Sequence, residues 1–72
     1  MPLYSPGDII CRSNDWGEQV CLILDIRMTE DLFPDDVEYY LMLILKSPSK
    51  QTEGGRTELA TLLVDKLYKL KA

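Results

Sequence analysis

A chain of 72 residues with 46% hydrophobic and 28% charged side chains has the composition of one folded domain and excludes a disordered polypeptide. Its formal charge of −4 repels phosphate backbones, which argues against nucleic acid, and the absence of histidine removes Ser-His-Asp and Cys-His catalysis. A domain this small buries only about 60% of the surface its unfolded chain exposes, so self-association or a place in a larger assembly is expected.

The chain opens with Met1 to Ser5 and the turn Pro6-Gly7-Asp8, which launches a short strand, Ile9-Ile10-Cys11-Arg12. Ser13 to Glu18 supplies turn residues around Trp16-Gly17, and Val20 to Met28 follows as a strand. Val20, Leu22, Leu24, Ile26 and Met28 fall at every second position and are expected to share the core face. Thr29 to Asp36 is an acidic connection from which Pro34 excludes a regular strand.

Val37 to Lys46 is the next strand, with Tyr39, Leu41, Leu43 and Leu45 expected to join that core face. The opposite face then carries Cys21, Ile23, Tyr40, Met42 and Ile44. So large an apolar surface is either a protein interface or is covered from within by Leu32, Phe33 or the C-terminal segment. Ser47 to Gly55 is a polar loop of turn formers.

Arg56 to Ala72 reads in two ways. Leu59, Leu62, Leu63, Val64, Leu67 and Leu70 fit a helical stripe over 57–71, with Lys66, Lys69 and Lys71 near its negative end. The alternative is a strand over 56–61, one helical turn over 62–66, and a closing strand over 67–70.

Three groups are candidates for chemistry or binding. Glu30, Asp31, Asp35, Asp36 and Glu38 crowd one connection, but their spacing lacks the alternation of a calcium loop. They read as a solvated docking surface, with Asp35 and Asp36 as its partner-binding members, and no metal or cofactor is expected. Cys11 and Cys21 lie five residues either side of Trp16, so a symmetric hairpin would set them opposite each other within about 5.5 Å. A disulfide is then possible, with two free thiols as the expected state. Trp16 is read as an end plug of the fold, with a partner groove shared with Tyr40 as the alternative.

No run approaches the roughly 18 apolar residues of a membrane span, and the first residues lack a signal pattern, so a cytoplasmic chain without membrane contact is expected. Taken together, Ser5-Pro6-Gly7-Asp8-Ile9-Ile10, Asp15-Trp16-Gly17, Val20 to Arg27, an aromatic-aliphatic strand, Thr57-Glu58-Leu59 and Leu67-Tyr68-Lys69-Leu70 resemble small SH3-like barrels, most of all the short ones encoded by tailed bacteriophages.

That resemblance implies an all-β, five-stranded barrel with one helical turn before the last strand, which selects the strand-turn-strand reading of the C-terminal segment. The role expected of the chain is that of a non-catalytic protein–protein interaction module, a phage-encoded structural or accessory protein in the host cytoplasm or a virion. The partner-binding surface expected is Ile23, Tyr40, Met42, Ile44 and Trp16, with the acidic connection orienting a protein partner or a second copy. A nucleic-acid- or ribosome-associated barrel and an acidic inhibitor of a host protein are the competing readings.

Overall fold

The computed structural model describes residues 2–29 and 37–71. Five antiparallel strands, β1 (Ile9–Asn14), β2 (Gly17–Thr29), β3 (Val37–Lys46), β4 (Arg56–Ala60) and β5 (Lys69–Leu70), form one sheet in the order β4-β3-β2-β1-β5. A 3₁₀ turn, Lys50–Thr52, interrupts the polar loop, and a seven-residue helix, α1 (Thr61–Leu67), joins β4 to β5. The sheet is all-β in class and is not closed.

The connection between its two edges dictates its curvature. Five flat strands would hold β4 and β5 about 19 Å apart, whereas seven helical residues rise about 10 Å. The sheet therefore curls around α1, an arrangement consistent with a small barrel-like fold.

Glycine fixes the register at two places. Gly7 (φ 95°) donates its N–H to the Ile23 carbonyl while the Ile23 N–H bonds the Asp8 carbonyl. Gly54 (φ 82°) and Gly55 treat Ile44 in the same way. Each is a bulge that needs a positive-φ first residue, which only glycine supplies cheaply.

The concave face is the reverse of the one expected from alternation. Ile10, Cys21, Ile23, Tyr40, Met42 and Ile44 form the core together with Tyr4, Val64 and Tyr68. Leu22, Leu24, Tyr39, Leu41 and Leu43 are only partly buried, and Leu45 and Met28 are exposed. Both faces of β2 and β3 are apolar, so strand periodicity could not rank them. What decides is long-range cover: α1 turns Thr61 and Val64 onto the Tyr40 face, and the N-terminal segment adds Tyr4. Of the two readings of that face, cover from within is observed, by the C-terminal segment; Leu32 and Phe33, the other expected cover, lie outside the described residues.

A register shift between Ile23 and Asp25 breaks β2 itself. Ile23 faces Met42 before it and Ile26 faces Tyr40 after it, so an odd-numbered and an even-numbered residue both point inward. Ile26 therefore does not share a face with Leu22, because one extra residue between them inverts every side chain that follows, while Val20 is buried outside the core cluster.

Candidate interaction surface

The expected partner residues Ile23, Tyr40, Met42 and Ile44 are core residues, each less than a tenth exposed. No partner reaches them in the folded chain. Asp35 and Asp36 lie outside the described residues, as do Glu30 and Asp31, while Glu38 is tied locally and accepts a hydrogen bond from the Thr61 hydroxyl at 3.0 Å.

Trp16 plugs nothing. Asp15 and Trp16 form the two-residue tip of the β1–β2 hairpin, with Asn14 facing Gly17. The Asn14 Oδ1 accepts the Trp16 N–H at 2.9 Å, and the indole stands 85% exposed. Gly17 (φ 128°) completes the turn and leaves room for Pro48, whose Cγ would sit 3.5 Å from any Cβ at that position.

The same tip settles the cysteines. With a two-residue loop, Cys11 faces Val20 and Cys21 faces Ile10, one position away from the symmetric pairing about Trp16. Neighbouring positions on a strand point to opposite faces, so the two thiols cannot meet and both are free. Both are buried, and burial pushes the Cys21 thiol upward in pKa. The Gln19 amide donates to its sulfur at 3.8 Å.

A polar network ties the N-terminal segment to Tyr40 of β3 and to α1 and the residue after it. The Tyr40 hydroxyl donates to Asp65 Oδ1 at 2.7 Å and accepts the Tyr4 N–H at 3.2 Å. Asp65 Oδ2 also accepts the Leu3 N–H at 3.3 Å, and the Tyr4 hydroxyl donates to the Tyr68 carbonyl at 2.7 Å. Every buried side-chain nitrogen or oxygen among the described residues has a partner. Burial raises the Tyr4, Tyr40 and Tyr68 phenols, Tyr40 to about 12, which makes them structural donors rather than acids available near neutrality.

That network holds an unusual helix in place. Thr61, Val64 and the following Tyr68 fall on one side of α1 and are buried, which leaves the leucines outward. Leu62 is 85% exposed, Leu63 and Leu67 are each 46% exposed, and Leu67 lies one turn beyond Leu63. Leu70 in β5 and Leu3, whose backbone is tied to Asp65 of α1, are exposed as well. The exposed Lys66 and Lys69 stand beside these leucines in the chain. This surface was missed in the sequence because the leucines fit a core-facing helical stripe, and that stripe holds only for a helix twice as long as α1.

Comparison with protein-family models, with curated proteins and with solved structures gives no match. The fold and this surface therefore define the chain as a small all-β protein with an apolar, lysine-flanked helix face.

Proposed function

We propose that the chain is a non-catalytic protein–protein interaction module of the small SH3-like barrel kind, a phage-encoded structural or accessory protein that works within an assembly. The observation that carries the interaction reading is the outward leucine face of α1. A seven-residue helix gains little from intrinsic propensity, so the tertiary anchors of Val64 and Asp65 hold it in position. Held in that way, it presents Leu62, Leu63 and Leu67 to solvent at a continuing free-energy cost unless a partner covers them.

The strand order β4-β3-β2-β1-β5 with a helical turn before the last strand supports the SH3-like reading. The phage origin rests on the sequence resemblance alone, and the assembly role on the small core that a chain of this length can bury. The partner chemistry that fits the α1 surface is an apolar groove with acidic groups at its edge, where Lys66 and Lys69 would set orientation while the leucines supply burial.

Capture from a host extract by the tagged chain, compared with capture by a Leu62→Lys, Leu67→Lys variant, tests the proposal. Both positions are exposed, so the variant should keep its circular dichroism and urea midpoint yet lose the captured protein. Equal capture by both chains would refute the α1 surface as the contact.

A further inference from the structure

We propose that a second copy of this chain pairs with the free edge of β4, antiparallel about a twofold axis at Thr57. This goes beyond the interaction module proposed above and stands without it, since it uses the backbone edge of the sheet and not the leucines of α1.

The register of β4 determines which of its groups face outward. The Ile44 N–H bonds the Gly55 carbonyl and Gly55 sits opposite Ile44, so the hydrogen-bonded pairs that follow are Thr57 with Met42 and Leu59 with Tyr40. The backbone N–H and C=O groups of Arg56, Glu58 and Ala60 therefore point away from β3. Among the described residues no strand lies on that side.

An unpaired edge is a template for another strand, and charged side chains usually restrict what can pair with it. Here they select one partner. Arg56 and Glu58 are both exposed, and among the described residues neither forms an ion pair. With the twofold axis at Thr57, Arg56 of each copy faces Glu58 of the other. Those are outward-facing positions, so two hydrogen-bonded pairs and two opposite-charge cross-strand pairs form together. Moving the axis one residue either way sets Arg56 against Arg56 or Glu58 against Glu58. The edge is thus self-complementary in a single register, as an isologous twofold contact requires.

The dimer would join two sheets into one of ten strands, in line with the expectation that so small a domain associates. Arg56 faces Leu43 and Glu58 faces Leu41, so the half-buried leucines of the convex face would continue across the joint.

Sedimentation of the full chain, extended to millimolar concentration, provides the test because an edge contact is smaller than a standard interface. The expected result is a monomer–dimer equilibrium. Arg56→Glu alone or Glu58→Arg alone should weaken it by about tenfold or more, since each places like charges opposite at both symmetric pairs. The double swap Arg56→Glu, Glu58→Arg should restore it.

Thr57→Cys should give a disulfide-linked dimer on oxidation, because Thr57 would meet its own copy in a non-hydrogen-bonded pair with Cα atoms about 4.5 Å apart. Leu62→Lys should leave the equilibrium unchanged, which separates this contact from the α1 surface. A chain that stays monomeric at every concentration would overturn the proposal. So would single reversals without effect, or a swap that fails to restore association.

Discussion

Tyr40→Phe removes one oxygen from a side chain with no exposed surface, and the structure sets the cost. Two bonds go at once: the donation to the Asp65 carboxylate at 2.7 Å and the acceptance of the Tyr4 N–H at 3.2 Å. A hydrogen bond to a charged acceptor contributes about 1.5–3 kcal/mol, and a buried amide left without a partner costs about 1–3 kcal/mol. The two losses share one oxygen and overlap, so about 3 kcal/mol is the expected total, a large share of the stability of a domain this size. The melting temperature should fall by roughly 12–24 °C.

Urea unfolding followed by circular dichroism is the suitable assay, because Trp16 stands in solvent and its fluorescence should report the transition poorly. The slope of the transition should be unchanged, since only the folded state loses a contact. A loss below about 0.5 kcal/mol, the level of an indifferent surface substitution, would refute the claim that this hydroxyl joins the N-terminal segment to α1.

Three further outcomes follow from the same structure. Cys21 and the phenols of Tyr4, Tyr40 and Tyr68 are harder to ionise folded than unfolded, so the folded chain holds those protons to higher pH. Stability against urea should be full below the thiol's ordinary value of 9.0 and decline as pH rises toward the Tyr40 value of about 12; a midpoint that rises over that range would contradict this. Gly7→Ala and Gly54→Ala should each cost about 1–2 kcal/mol from backbone strain alone, because an added Cβ at either site meets nothing within 4 Å. Reductant should leave the melting temperature unchanged, and a thiol reagent should label Cys11 and Cys21 only as urea opens the chain; a reductant-sensitive transition would show that the thiols pair.

The strands themselves were legible in the sequence. Pro6-Gly7-Asp8 and Trp16-Gly17 mark the turns that bound β1, and the aromatic-aliphatic run over 37–46 is β3 residue for residue. What could not be read was which face of β2 and β3 turns inward, because Leu41 and Leu43 are as apolar as Met42 and Ile44. Tyr40 settles it through partners at positions 4 and 65, far away in the chain.

The bulge between Ile23 and Asp25 carries no glycine or proline, so nothing local announces the change of face at Ile26. The cysteine geometry turned on one residue of loop length, a detail that symmetry about Trp16 conceals. The C-terminal segment followed the resemblance and not its periodicity: Leu59 belongs to a strand and the remaining leucines to a short outward helix and a closing strand. Their exposure is the feature that separates a surface from a core stripe, and it becomes visible only once Val64 and Tyr68 are seen to be buried.

Side-chain oxidation by hydroxyl radicals, read by mass spectrometry on the chain alone and in complex with the protein it captures, tests the central claim most directly. Leu62, Leu63 and Leu67 should oxidise readily in the isolated chain, while the buried Met42 should not. In the complex the three leucines should become protected. A chain that captures nothing, or leucines that oxidise equally in the complex, would contradict a partner seated on α1.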